Sequence, residues 1–199
     1  MKAMQIVIKG DERSEEYAYL SRRSFQRAID DGYIDSIETF DAITPQSKDF
    51  QDHVDKYVWS KSLMTLDTLS GNGKDDHSPS EKAGMCSHWE LMRLQGEFWI
   101  MEHDTYLIEE RYEAFKLLSE YSENTLYANI GLFMGMYCMD KGFAHWSQHM
   151  LTNNDFPINC GPYCVLQRLF RTYSTDWLGY KDIQQQEPWT RHKFFKVID

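Results

Sequence analysis

The chain lacks any long apolar run: none approaches the roughly 20 residues that a helix needs to cross a bilayer, so no membrane span is expected. It also lacks a basic excess, since 21 Lys and Arg stand against 31 Asp and Glu, for a net charge of −10. Proteins that grip phosphate backbones over a long footprint carry the opposite balance. Extensive non-specific nucleic-acid binding is therefore disfavoured, while a local basic patch stays open. Cysteine is scarce, at Cys86, Cys138, Cys160 and Cys164. Cys160 and Cys164 do not have the two-residue gap of a zinc knuckle or redox pair, so all four read as reduced thiols. With no charged-then-apolar signal segment, the expected location is cytoplasmic. Internal repeats and low-complexity tracts are missing as well.

Apolar material, by contrast, is sufficient for a packed core. The 199 residues are 42% hydrophobic, which fits one globular domain over 1–199. Six Trp, 12 Tyr and 11 Phe suit core packing first and stacking on sugars or bases second. Basic residues gather in two places. Arg22, Arg23 and Arg27 form one cluster; Lys181, Arg191, His192, Lys193 and Lys196 form another, beside Trp189, Phe194 and Phe195.

Patterning predicts an α/β fold. Met4 to Ile8 reads as a buried strand, and Ser14 is placed to cap a helix from about Glu15 to Asp30 that Gly32 ends. Ile37 to Ile43 alternates as a second strand. A strand, helix and strand in this order imply a parallel sheet, in which ligands bind at the carboxyl ends of the strands. A weak helix over Asp49 to Leu69 is followed by a Gly-rich loop, Gly71 to Asp76. Another helix runs from about Ser80 to Leu94, closed by Gly96. Phe98 to Met101 is a strand leading into Glu102-His103-Asp104. A helix over 109 to 121, a strand near Leu126 to Ile130, and a helix carrying Ala144, His145 and His149 complete the pattern.

The chemistry points to Glu102 and Asp104. Two acids one residue apart at the end of an apolar strand hold a hard divalent cation through oxygen, and the cation neutralises a diphosphate. Strand alternation lets residues 102 and 104 face one side, with His103 pointing away or joining the site if the strand has ended. His145 and His149, one turn apart, are the other pair with metal-ligand spacing, though flanking a core stripe is their commoner role.

The segment Ser78-Pro79-Ser80-Glu81-Lys82-Ala83-Gly84-Met85-Cys86-Ser87-His88-Trp89-Glu90-Leu91 resembles the E-x-G-C-x-x-S-H helix of glycosyltransferase family 25. In that family the helix is followed by a strand ending in an acidic L-E-D-D motif, and here Ile100-Met101-Glu102-His103-Asp104 stands in its place. Ile6-Val7-Ile8 with Arg13, Arg22 and Arg23 is similar to the family's first strand and R…R segment, and Phe40-Asp41-Ala42-Ile43 to its F-D-A-V strand. The three motifs keep their order over residues 4 to 108. Gly131 or Gly135, Tyr137 and Ala144 loosely resemble a later G-x-x-x-Y-x-x-x-x-x-A stretch, without its spacing. The sequence departs at His103, where a middle Asp is usual; at the single residue between Cys86 and His88, where the motif has three; and at Asn159 in place of an acid.

The resemblance implies a GT-A-like single domain with a mostly parallel central sheet flanked by helices. Residues 1–108 would be the nucleotide-sugar-binding half and 109–199 the acceptor side. It also implies a nucleotide-sugar donor of UDP type, with Lys9, Gly10 and Arg13 at the nucleotide, Ser87 and His88 lining the donor pocket, and Glu102 and Asp104 holding Mn²⁺ or Mg²⁺ and the diphosphate. Asp104 would join the chemistry, with Asp155 and Asp176, then Glu109 and Glu110, as general bases for an inverting transfer. The acceptor would be a saccharide or a hydroxymethylated pyrimidine in DNA, as in phage DNA-modifying enzymes; the latter would have to leave the base stack. A non-catalytic nucleotide-sugar binding module is one alternative. A metal-dependent hydrolase built on Glu102, Asp104, His145 and His149 is another.

Overall fold

A computed structural model describes residues 1–59, 77–94, 98–113, 115, 116, 119, 127–129, 136–139, 141–152, 158, 165, 169 and 195–197. The expectations for Gly71 to Asp76, Gly96, Asp155, Asn159, Cys160, Cys164 and Asp176 fall outside these residues, as does all of the distal basic cluster but the backbone of Lys196.

The N-terminal apolar run forms β1 (Lys2–Val7). It pairs in parallel with β2 (Ile37–Asp41) on one side and β3 (Phe98–Glu102) on the other. Beyond β3 lies β6 (Met136–Met139), antiparallel to it, and then β5 (Tyr127–Asn129), antiparallel to β6. The sheet order is β2-β1-β3-β6-β5. Four strands share one direction and β6 opposes them, so the sheet is mixed and mostly parallel. A separate two-stranded sheet joins β4 (Thr105–Leu107) to β7 (Phe195–Val197).

Helices cover both faces. Alternation along the central strands divides the core in two. Ile6, Phe98 and Ile100 share one cluster with Trp89, Leu91 and Phe143. Ala3, Trp99 and Met101 share the other with Phe25, Ala28, Tyr112 and Phe115. The first cluster lies under α3 (Phe50–Val54), α4 (Pro79–Arg93) and α5 (Lys141–Thr152). The second lies under α1 (Glu12–Ser24) and α2 (Gln26–Asp30). Met85 to Met92 of α4 are all buried, because that helix sits between the sheet and the helices α3 and α5.

Helix ends obey capping chemistry, with one shift from expectation. Asp11, not Ser14, caps α1: its Oδ1 accepts from Ser14 N at 2.7 Å. Ser14 is buried in the first turn and accepts from Ile8 N at 2.9 Å. Ser78 and Glu81 form a reciprocal capping box at α4, with Pro79 in the first turn. Gly32 follows α2 with φ of +80°, and Tyr33 N returns to Ala28 O at 2.9 Å, a left-handed ending that favours glycine. The helix expected from Asp49 to Leu69 is five residues long where it is described, α3 ending at Val54, and its positions from 60 on fall outside the described residues. The one over 109–121 begins as a 3₁₀ turn, Glu109–Arg111, with helical backbone at Tyr112, Glu113, Phe115, Lys116 and Ser119.

Two polar latches fix the helices, one tying α1 to the sheet and the other tying α4 to the α3 segment. Gln5, fully buried, donates to Ser21 Oγ at 3.0 Å and accepts from Arg22 Nε at 2.8 Å, and Arg22 also reaches Thr39 Oγ1. On the other face Glu90 is buried and takes Lys56 Nζ at 3.0 Å, His53 Nδ1 at 3.1 Å and Arg93 Nε at 2.7 Å. Burial pushes the Glu90 carboxyl up, but the hydrogen bonds from Lys56, Arg93 and His53 outweigh it and hold the group below its ordinary 4.5. A depressed carboxyl stabilises the fold fully above that ordinary value and loses its contribution as pH falls through the lowered one. Urea midpoints of the native protein should therefore drop on acidification below pH 4.5, and Glu90→Gln should flatten that drop. Parallel acid limbs for the two proteins would contradict this role.

Candidate functional site

The connection out of β1 runs to β2 on one side, and the chain then crosses to β3 on the other. The order of strands reverses at β1, so the carboxyl ends of β1 and β3 form the switch point at which sheets of this kind have their ligand crevice. Register sets Ile6 beside Glu102. The residues beyond these ends are therefore Ile8, Lys9 and Gly10 from one strand and His103 and Asp104 from the other. The acid pair of the sequence stands at the position where open α/β sheets bind ligands.

β3 stops at Glu102, and the chain turns through His103 and Asp104 into β4. Strand alternation therefore does not set the direction of Asp104, correcting the expectation that both acids sit on one pleat. The two still interact. Burial pushes the Asp104 carboxyl above the ordinary aspartate value, Glu102 adds to the rise, and His103 pulls against it. The half-buried His103 ring stacks on Tyr17 of α1, with centroids 6.2 Å apart and planes 21° apart. Tyr17 also carries Arg13: Nε donates to its hydroxyl at 3.0 Å and the guanidinium lies 5.1 Å from its ring centre. His103 thus packs on α1.

Behind Glu102 stands α4. His88 is buried, with Nε2 3.3 Å from Glu102 Oε1 and Nδ1 3.0 Å from Tyr137 Oη. Its neighbour Ser87 is buried too. The Ser87 hydroxyl donates to Ala83 O at 3.0 Å and accepts from Ile43 N at 2.8 Å. Ser87 fixes the chain just past β2 and does not face open space, although a pocket-lining role was expected for it.

The loop after β1 differs from a phosphate cradle. Gly10 adopts φ of +81°, which favours glycine, yet its N–H donates to Glu15 Oε1 at 2.8 Å. Ile8 N–H goes to Ser14 and Asp11 N–H to Ile8 O at 3.1 Å. Side chains are what this loop offers: Lys9, exposed and 3.4 Å from Asp41, and exposed Arg13.

Other candidates lie apart. Glu109 is paired with Arg27, whose guanidinium stacks 3.9 Å from the Tyr112 ring centre, while Glu110 is exposed in the same turn. His145 and His149 are on the exposed side of α5. Among the described residues no three His, Cys, Asp or Glu side chains gather as a metal-holding set. A cleft of about 360 Å³ runs beside the β2 end, lined by Phe40, Ile43, Ser47, His53, Glu90 and Arg93 among others. Neither Glu102 nor Asp104 borders it. Burial pushes the Cys86 thiol up to about 12, which suits an inert core residue rather than a nucleophile.

Sequence reasoning missed Tyr137 as a partner of this site. Its likeness to the tyrosine of a family stretch singled it out in the sequence, but that likeness does not reveal that β6 lies beside β3. Among the described residues no helix is long and apolar enough to cross a membrane. No protein-family model matches the chain, and no curated protein matches it significantly.

Proposed function

We propose that the chain is a GT-A-like glycosyltransferase that moves a sugar from a nucleotide-diphosphate donor to a hydroxyl acceptor. One observation carries the reading. Two carboxylates, Glu102 and Asp104, repel each other in a half-buried crevice at the carboxyl ends of β1 and β3. A divalent cation is the natural counter-charge to such a pair. Two carboxylate oxygens are a hard but incomplete donor set, which suits Mg²⁺ or Mn²⁺ shared with diphosphate oxygens and water. Bound there, the ion would neutralise the diphosphate and assist its departure.

The chain's own residues supply the rest. Arg13, held on Tyr17 beside His103, puts positive charge near the acid pair, Lys9 pairs with Asp41 at the β2 end, and His88 holds one oxygen of Glu102. A general base is expected from the later half, with Asp155 and Asp176 as candidates and Glu109 already engaged by Arg27. The hydrolase alternative loses support because His145 and His149 do not gather with Glu102 and Asp104. Arg22 and Arg27 are tied to Gln5, Thr39, Glu109 and Glu113, so two of the three arginines of the first cluster give little to a DNA grip. A saccharide acceptor is accordingly favoured over a hydroxymethylated pyrimidine.

The test is a panel of UDP- and GDP-sugars with Mn²⁺, following nucleotide release with saccharide, with hydroxymethylated DNA, and without acceptor. Metal-dependent release that an acceptor stimulates is expected. Failure of every donor to bind or react would overturn the proposal, while donor binding without release would leave only a binding module.

A further inference from the structure

We infer that Tyr137 is a positioning residue for Glu102, acting through the buried ring of His88. The inference rests on the reading of Glu102 and Asp104 as a cation site.

The geometry follows from the sheet. Tyr137 of β6 stands opposite Ile100 of β3, and Glu102 lies two residues further along β3, on the same pleat as Ile100. Ile100 and Tyr137 share the cluster covered by α4, and His88 descends from that helix between Tyr137 and Glu102. Tyr137 is fully buried and the His88 side chain is 4% exposed, whereas Glu102 is 35% exposed. The line from Tyr137 to Glu102 therefore runs from the core to the crevice.

Donor and acceptor counting sets the direction of the bonds. An ionised carboxylate only accepts, so His88 Nε2 carries the proton it gives to Glu102 Oε1. A neutral imidazole has one N–H, so Nδ1 accepts, and the Tyr137 hydroxyl is its donor. The phenol thus selects the tautomer and fixes the ring plane, and the ring fixes Oε1. Glu102 Oε2 has no other partner among the described residues and is the oxygen left for a ligand. A carboxylate held this way loses less freedom when it takes a cation, as outer partners of metal ligands do elsewhere.

The test uses the full chain, wild type and Tyr137→Phe, with Tyr57→Phe as control. Tyr57 is also buried, and none of its contacts among the described residues involves His88 or Glu102. Two quantities are measured: Mn²⁺ affinity in the presence of UDP, and the nitrogen shifts of the His88 imidazole without metal. The expected result is a protonated Nε2 and unprotonated Nδ1 in the wild type. In Tyr137→Phe that single tautomer is lost and Mn²⁺ binding weakens about 10-fold, while Tyr57→Phe binds Mn²⁺ as the wild type does. A general loss of packing would weaken both variants alike, and that result overturns the inference. So does a protonated Nδ1 in the wild type, or wild-type Mn²⁺ affinity in Tyr137→Phe while Glu102→Gln lowers it. If the wild type binds no Mn²⁺, the cation site itself falls. The imidazole shifts then decide alone, and an unchanged tautomer in Tyr137→Phe removes the positioning role.

Discussion

Asp104→Asn is expected to cut metal-dependent donor turnover about 100-fold or more while leaving the fold as stable as before, or slightly more so. The size follows from electrostatics: a carboxylate that anchors the counter-charge of a leaving diphosphate contributes several kcal/mol in the transition state, and each 1.4 kcal/mol is a factor of ten. The retained stability follows from the direction of the Asp104 shift. Burial and Glu102 hold its carboxyl above the ordinary value, so its ionised form costs stability at neutral pH, and the neutral amide removes that cost. Loss of activity with no loss of stability is what marks a group kept for function and not for folding. Initial rates and urea midpoints of the two proteins check both halves. Nearly intact turnover in Asp104→Asn would mean that the site is misplaced.

Trp99→Ala should have the largest effect on the fold itself, destabilising it by about 3–5 kcal/mol. Trp99 is 1% exposed and is the second residue of β3, where its ring packs into the cluster of Phe25, Tyr112 and Phe115. Phe98 and Ile100 fill the opposite cluster, so β3 is clamped on both faces up to Glu102. Truncating the indole leaves a void that neighbouring elements on both sides of the strand prevent from closing. Domains of this kind hold only about 5–15 kcal/mol in total, so the variant should unfold at much lower urea. Tyr19→Ala, at a site 59% exposed, is the contrast and should stay within about 0.5 kcal/mol. Equal midpoints for the two variants would contradict the two-sided core.

The elements that sequence pattern reveals are those whose signal is local. The apolar run of β1, the alternation of β2, the Ser78 to Glu81 start of α4 and the run into Glu102 all depend on residues within a few positions of one another. So did the placing of the acid pair at a strand end. What escaped depends on contacts distant in sequence. Asp11 displaced Ser14 as the α1 cap because Ser14 is buried against Ile8, a tertiary constraint that capping preference does not contain. The antiparallel direction of β6 is set by its pairing with β3, and that pairing is what brings Tyr137 within reach of His88. His103 read as a defect in an acidic motif; its packing on Tyr17 needs α1 and the end of β3 side by side. The arginines of α1 and α2 looked like a patch for phosphates, but Gln5, Thr39, Glu109 and Glu113 pair with Arg22 and Arg27.

The central claim is that Glu102 and Asp104 hold a cation shared with a nucleotide diphosphate. Equilibrium binding of UDP, measured with and without Mn²⁺, tests it most directly. Wild-type protein is predicted to bind UDP at least about ten times more tightly with Mn²⁺, a coupling of about 1.4 kcal/mol, and Glu102→Gln or Asp104→Asn should abolish that gain. UDP binding that is absent, or that ignores both Mn²⁺ and these two substitutions, would contradict it.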